Sequence, residues 1–359
     1  MNSFGNIFKL TSFGESHGAG IGVVVDGCPA GLELDLMAIQ ADLDRRRPGQ
    51  SRITTQRKEP DAFELLSGTV GNVTTGSPLA FFVRNKDQRS KDYDHISQQF
   101  RPSHADFTYF NKYKIRDHRG GGRSSARETI ARVIGGGVAK QLLAKVAGIR
   151  IDAWVSSVGE IDWLEWPNDV VLNSEAAQMV RCPDDEVAAT MVAAIDTARK
   201  QGDSMGGIVS CRATGVPVGL GEPIYGKLEA LLASAMLSIN ATKGFEIGSG
   251  FAGTRLRGSQ HNDPFYTDDE GRVRTRSNNS GGVQGGISNG EDVRFRVAFK
   301  PTSTLMKDQQ SVDSEGNAVT VKGKGRHDPC VVPRAVPIVE AMTALVLADL
   351  WRIGLGSSI

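Results

Sequence analysis

The chain has 359 residues, 39% of them hydrophobic, with 42 Lys and Arg against 41 Asp and Glu for a net charge of +1. That length supports a sizeable core, and the near-balance of charge argues against a dedicated nucleic-acid binder, which carries a clear basic excess. No apolar run approaches the roughly 18 residues of a membrane span, and the N-terminal "MNSFGNIFKLTSFGESHG" has neither the basic nor the apolar region of a signal peptide.

In chain order, "GIGVVVD" (20–26) reads as a buried strand and "GCPAG" as a turn. Asp35 then caps a helix to about Arg46, stopped by Pro48 and Gly49. "AFELLSG" and "PLAFFVRN" read as two further strands. Residues 86–123 are polar without a sustained period and read as one long loop, the kind that often carries function. Ser125-x-x-Glu128 forms a capping box that opens a helix from about 126 to 146. Gly135, Gly136 and Gly137 in mid-helix cost about 1 kcal/mol each relative to Ala, so close packing is expected there. Residues 184–200, 225–239 and 334–352 read as helices; "GGIVSCRATG" and "DVRFRVAFK" read as strands.

Gly27, Pro29, Gly31 and Leu32 recur as Gly215, Pro217, Gly219 and Leu220 at one constant offset, each set lying between a strand and a helix. Two related halves would produce this, and so would coincidence in a chain with 42 glycines. Nothing resembling a linker separates the halves, so residues 1–359 are expected to form a single domain. Cys28, Cys182, Cys211 and Cys330 are far apart with no zinc-type spacing, and read as reduced thiols of a cytosolic protein.

Three motifs mislead. "GSGFAG" (248–253) matches the dinucleotide fingerprint, but "TRLRGSQHND" after it does not read as a helix. "GDSMG" and "GISNG" match the nucleophile elbow, yet both precede strands where an elbow leads into a helix.

Four segments have compositions that ordinary structure does not explain. "FGESHG" sets His17 in a tight turn. "DRRRPGQSRITTQR" carries arginines at 45, 46, 47, 52 and 57. Those at the helix end suit its dipole, and the rest suit a polyanion. "RPSHADFTYF" and "HRGGGRSSARET" bring Arg101, His104, Arg119, Arg123 and Arg127 close in sequence to a helix N-terminus with hydroxyls from Ser124 and Ser125. The last run, "GGVQGGISNG", "KPTSTL" and "GRHDPCVVPRAVP", adds Lys300, Arg326, His327, Asp328 and Arg334. Asp328 reads either as a poised base or as a salt-bridge partner. Together these segments describe a site for one or two phosphorylated polyanions, with three candidate histidines, one carboxylate and no metal cluster.

The motifs "GESHG", "DRRRPG", "RPSHAD", "GGGRSSARET", "GGISNG", "KPTST" and "GRHDPC…RAVP", spread over residues 13 to 337, resemble the chorismate synthase family. The resemblance implies an α/β (α+β) sandwich, with helices packed between antiparallel sheets in two pseudo-twofold-related halves. It implies a lyase that makes chorismate from 5-enolpyruvylshikimate 3-phosphate by 1,4-elimination of phosphate. It implies a requirement for reduced FMN (FMNH2) without net redox change. It also implies a cytoplasmic homotetramer served by an external flavin reductant. The catalytic positions fall on His17 (donor to the leaving phosphate), His104 (beside the flavin N1–C2 carbonyl) and Asp328 (relaying a proton from substrate C6 through flavin N5), with Ser16 and Ser125. The flavin positions fall on Arg123, Ser124, Ser125, Asn240, Ala241, Gly285, Lys300, Pro301, Thr302, Ser303, Thr304 and Arg326. Substrate contacts fall on Arg46, Arg52, Arg101, Arg127 and Arg334. Ser103 stands where the family has Gly, and Gln284 where an apolar residue is usual. The other readings of the same donors are an oxidoreductase binding flavin and a nicotinamide, or a non-catalytic binder of phosphometabolites or RNA.

Overall fold

The computed structural model describes residues 1–54, 59–86, 98–115, 117, 121–323 and 327–355. The first half contributes strands β1 (Ser3–Phe4), β2 (Lys9–Gly14) and β3 (Gly20–Asp26), helix α1 (Leu36–Arg46), and strands β4 (Phe63–Ser67), β5 (Thr69–Val70), β6 (Val73–Thr74) and β7 (Leu79–Arg84). Helices α2 (Asp106–Tyr113) and α3 (Thr129–Ala147) follow, then β8 (Arg150–Val158) and β9 (Ile161–Asp162). The second half adds α4 (Glu175–Val180), α5 (Asp185–Lys200), β10 (Gly207–Thr214), α6 (Leu228–Leu237) and β11 (Thr242–Ile247). Two one-turn helices, α7 (Gly250–Gly253) and α8 (Gly258–His261), precede the hairpins β12 (Phe265–Thr267) with β13 (Val273–Thr275) and β14 (Val283–Gln284) with β15 (Ile287–Ser288). Strand β16 (Val293–Phe299), the hairpin β17 (Gln309–Val312) with β18 (Ala318–Val321), and helix α9 (Val332–Gly354) complete the order.

Two antiparallel five-stranded sheets, β1-β2-β3-β7-β4 and β11-β16-β10-β8-β9, enclose a helical layer. Helix α3 packs on β2 and β3 of the first sheet, α9 on β8 and β10 of the second, and the two helices pack on each other, with α1 against both. The strands facing this layer alternate as their period of two demands: Leu10, Val23, Val25, Phe81 and Val83 from one sheet, and Val209, Cys211, Phe295 and Val297 from the other, are buried. The glycine triplet explains how the helices come so close. A Cβ on Gly135 would strike the Leu10 side chain, one on Gly136 the Ala341 backbone, and one on Gly137 would stand 3.0 Å from Ile39 Cγ1. The chain is an α+β sandwich of the kind the motifs imply.

The short repeat is a real duplication of geometry. In the first half, Leu32 N donates to Thr74 Oγ1 (2.9 Å), Thr74 Oγ1 donates to Pro29 O (2.7 Å) and Thr74 N donates to Leu32 O (2.9 Å). In the second, Leu220 N donates to Ser288 Oγ (2.8 Å), Ser288 Oγ to Pro217 O (2.5 Å) and Ser288 N to Leu220 O (2.9 Å). Hairpins β5–β6 and β14–β15 therefore do the same work, each satisfying the turn after a central strand.

Some expectations need correction. Residues 106–113 form a helix inside the stretch read as loop; it is short, and Phe107 and Phe110 pack on Phe100 while Tyr109 packs on Tyr113, a pattern too brief to show as a period. The capping box does not close. Ser125 accepts from Arg127 N and starts a 3-10 turn (Ala126–Glu128) ahead of α3, while Glu128 turns to Arg132 Nε at 2.9 Å. A one-turn helix does follow Gly248, but its preceding strand lies in an antiparallel sheet, so the dinucleotide fingerprint still fails.

Candidate active site

Helices α3 and α9 lie side by side with both N-termini at one end, and a cavity of about 440 Å³ opens there. Ser125, Ala126 and Arg127 come from the entry to α3; Val331 and Arg334 from the entry to α9. Two helix N-termini turned to one space favour negative charge in it. The first half adds Arg46, Pro48, Arg101, His104 and Ser124; the second adds Asn240, Ala241, Lys300, Thr302, Ser303, Thr304, His327 and Asp328. Segments remote in sequence thus converge as the motifs imply.

Behind these cations lie acids that composition did not single out. Asp61, fully buried at φ +48°, splits its carboxylate between Arg46 Nη2 (2.6 Å) and Arg127 Nη1 (2.9 Å). Burial alone would raise its pKa; Arg46 and Arg127 more than offset this and hold the carboxyl below its ordinary value. Burial pushes Arg46 down to about 10, against the attraction of Asp61. Arg127 also lies 3.6 Å from Glu59 and donates from Nε to Asn85 Oδ1. Across the cavity Arg334 donates to Asp328 from Nη1 and to the Arg46 carbonyl from Nε (2.9 Å). Asp328 is therefore a salt-bridge partner within the site. Buried guanidinium groups need such partners, because an uncompensated charge away from water costs several kcal/mol. The site is a fixed ion network, less positive than its arginines alone suggest.

His104 sits on a turn made by Ser103 at φ +56°, the left-handed region that favours glycine. Its Nδ1 lies 2.9 Å from Asp106 Oδ1, and Arg101 grips the same carboxylate from Nε (2.7 Å) and Nη2 (2.9 Å). On the far wall, Asn240 Nδ2 donates to Ser124 O (2.9 Å), while its Oδ1 is buried without a partner. Ala241 holds φ +69°, and its carbonyl accepts from Lys300 N (2.9 Å). Among the described residues, three of the five non-glycine residues with positive φ, Asp61, Ser103 and Ala241, line or back this cavity, where stored strain is commonly found.

Other expected residues lie elsewhere. His17 and Ser16 are buried beside the cavity rather than on its wall, with Ser16 Oγ 3.1 Å from His17 Nδ1. Their turn is tied to the network: Ser16 N donates to Gly122 O (3.4 Å), and Asn85, the partner of Arg127, donates to the carbonyls of Glu15 (2.9 Å) and Gly18 (2.8 Å). Arg123 reaches away to Gly14 O, Ser12 Oγ and Asn2 Oδ1. Arg52 lines a separate cavity of about 320 Å³ with Arg181, which shares Arg334 with the first. Gly285 is the exposed tip of the β14–β15 hairpin, and Pro301 is exposed beside the wall. Arg326, Arg119 and Arg57 lie outside the described residues. Sequence reasoning missed Asp61, Glu59, Asn85 and Asp106. "KEPDAF" offered no pattern, whereas Asp106 was visible two residues after His104. Among the described residues no group of three or more His, Cys, Asp or Glu could hold a metal ion, and no helix is long and apolar enough to cross a membrane.

An α+β sandwich with a two-sided polyanion cavity defines a class of enzyme acting on phosphorylated small molecules. Residues 8–351 match the family model described as chorismate synthase. The chain is 60% identical over 350 residues to the chorismate synthase of Cytophaga hutchinsonii, covering 98% of this chain and 97% of that protein. It is 57% identical over 348 residues to that of Synechococcus elongatus, covering 97% and 96%. A crystal structure of chorismate synthase superposes with a TM-score of 0.76 at 33% identity, over 98% of this chain and 94% of the other. The chain belongs to the chorismate synthase family and is a carbon–oxygen lyase acting on phosphate, EC 4.2.3.5.

Proposed function

We propose that this enzyme eliminates phosphate in a 1,4 sense from 5-enolpyruvylshikimate 3-phosphate to give chorismate, the last common step towards the aromatic amino acids. The proposal includes a need for reduced FMN, obtained from an external reductant, with no net redox change. The observation that carries it is the meeting of Arg46, Arg127, His104 and the Asp328–Arg334 pair with the Asn240–Ala241 and Lys300–Thr304 segments around one cavity.

The residues fit both ligands. Loss of phosphate builds charge on the leaving oxygen, and fixed cations stabilise it without reorganising when the reaction occurs. Arg46 and Arg127, spaced by Asp61, and the two helix N-termini supply that field. Arg101 and Arg334 complete the substrate wall, with Arg52 beyond it in the adjoining cavity. His17 is the proton donor to the phosphate, positioned by Ser16, and a positioned acid of this kind contributes about 10²–10⁴-fold. Asp328, oriented by Arg334, would be the final acceptor of the proton lost from C6.

Ser124, Ser125, Asn240, Ala241 and the Lys300–Thr304 segment would hold the flavin, with Arg123, Gly285 and Arg326 as outlying members. The unpartnered Asn240 Oδ1 offers an acceptor to a ring N–H. When bound, reduced flavin supplies electron density and a basic nitrogen that no side chain can. His104, as the imidazolium, would donate from Nε2 to the anionic flavin. The chain works as one domain over residues 1–359, in the cytoplasm, as a homotetramer. Both sheets share the α3–α9 layer, which supports the single domain.

The test is anaerobic. Purified protein, dithionite-reduced FMN and 5-enolpyruvylshikimate 3-phosphate should release inorganic phosphate and form a product absorbing in the near ultraviolet. Absence of phosphate release with saturating reduced flavin overturns the reading.

A further inference from the structure

We propose that Asp106 is a positioning residue that fixes the tautomer of His104, keeping the proton on Nδ1 so that Nε2 is the nitrogen offered to ligands in the cavity. This deepens the proposed function and rests on His104 acting in the elimination.

The geometry selects one tautomer. Among the described residues, two groups approach Nδ1: Asp106 Oδ1 at 2.9 Å and Arg101 Nη2 at 3.1 Å. A guanidinium can only donate. If Nδ1 accepted from Arg101, its lone pair would face the Asp106 carboxylate at hydrogen-bond distance. If Nδ1 carries the proton, it donates to Asp106, and Arg101 Nη2 donates one of its two protons to the same oxygen at 2.9 Å. The second arrangement leaves every group satisfied.

Asp106 is held to receive that proton. Its carboxylate is buried and accepts from Arg101 Nε (2.7 Å) and from the Arg101 backbone N (3.2 Å) as well as Nη2. Burial opposes its ionisation, but Arg101 and His104 more than offset this and hold it far below the ordinary carboxyl range. Ser103, at φ +56°, bends the backbone so that three side chains within six residues meet. On the ring's other edge, a Cβ at Gly121 would lie 3.5 Å from Cε1 and 3.8 Å from Nε2, so the Gly121–Ser124 segment borders that nitrogen. An imidazole whose one nitrogen is fixed by a carboxylate presents the other in a defined protonation state, a division of labour seen in serine proteases. An acid in the first turn of a helix also favours its dipole, so Asp106 has an ordinary role in α2 besides. That role predicts no effect on which His104 nitrogen is protonated.

The experiment is nitrogen NMR of ¹⁵N-histidine-labelled full-length protein, with the His104 signals among the six histidines assigned by their loss in His104→Gln. At a pH where His104 is neutral, wild type should show a protonated Nδ1 and an unprotonated Nε2. A protonated Nε2 in wild type overturns the proposal without reference to any variant. Asp106→Asn should shift the population towards the other tautomer and lower kcat by about 10–10³-fold with KM within threefold. Asp106→Glu should restore the Nδ1–H form and part of kcat. An Asp106→Asn spectrum identical to wild type also overturns it. Undiminished turnover in His104→Ala would instead overturn the part assigned to His104 in the reaction, while the His104 signals in wild type still decide the role of Asp106.

Discussion

Gly136 and Ala341 bring α3 and α9 together backbone to backbone: a Cβ on Gly136 would stand 2.9 Å from the Ala341 carbonyl carbon and nearer still to its Cα and Cβ. This crossing sets both helix N-termini at the cavity. Gly136→Ala would gain about 1 kcal/mol of helix propensity. The clash is with backbone, which cannot rotate away, and overpacking of this kind costs about 1–3 kcal/mol. The expected outcome is a net loss of stability in urea denaturation, together with weaker ligand binding as the helices separate. A stabilised Gly136→Ala would show that the crossing has room the structure does not show.

The crossing also shows what could be read from the residues and what could not. Three glycines inside an apolar helix announced close packing, but not that each faces a different neighbour, Leu10, Ala341 or Ile39. Strands and long helices were legible because their apolar periods extend over many residues. Helix α2 was not, since its eight residues carry too little pattern. In the site, cations and hydroxyls were legible as dense local motifs. Their counterions were not, because Asp61 lies in the unremarkable stretch "KEPDAF" and meets Arg46 and Arg127 only through the fold. Arg123 sits in a strong motif yet points away from the cavity, and Gly285 lies on a hairpin tip off its wall, since a motif names neighbours in sequence and not their placement or direction in the fold.

Glu340 on α9 is buried and accepts from Arg45 on α1 at 2.8 and 2.7 Å and from Lys140 on α3 at 2.6 Å. Burial opposes its ionisation, but Arg45 and Lys140 prevail and bring its pKa from 4.5 to about 2. A carboxyl lowered on folding contributes fully above its unfolded value and loses that contribution as pH falls through its folded value. Glu340→Gln should therefore cost about 1.5–3 kcal/mol at neutral pH, by weakening the charged hydrogen bonds of the half-buried Arg45 and Lys140, which keep Asp42 at 2.8 Å each. The gap from wild type should narrow as pH falls from 4.5 towards 2. Chemical denaturation of both proteins at pH 7 and pH 3 checks this; a gap equal at both values would show that the ion network contributes nothing.

Ser103 holds a left-handed backbone that glycine, lacking a Cβ, adopts without strain. Ser103→Gly relieves that strain but enlarges the freedom of the unfolded chain by about 0.4–1 kcal/mol, so the two effects nearly cancel. Stability and turnover should stay close to wild type. Ser103→Val places a β-branched side chain in the same region and should cost about 1–3 kcal/mol, with loss of turnover as Arg101, His104 and Asp106 lose their common geometry. Thermal denaturation and kcat for the two variants make the comparison. Equal tolerance of Gly and Val would mean that the turn is not what aligns His104.

Lys300 lies on the cavity wall among the residues proposed to hold FMN, and burial, with Lys243 adding to it, lowers its pKa below the ordinary lysine value of 10.5. An anionic ligand is favoured by the protonated ammonium, so affinity should be flat near neutrality and fall as pH rises through the lowered value. The fall should begin before pH 10.5 and total about tenfold, the share of the affinity that the ammonium supplies. Lys300→Met should bind FMN roughly tenfold more weakly at pH 7, about 1.4 kcal/mol, and lose this part of the pH dependence. Fluorescence titration of FMN against both proteins between pH 7 and pH 10 supplies the comparison, and the variant corrects for ionisation of the ligand itself. If Lys300→Met reproduces the wild-type affinity and slope, the ammonium does not face the bound anion, and the flavin belongs against a different wall of the cavity.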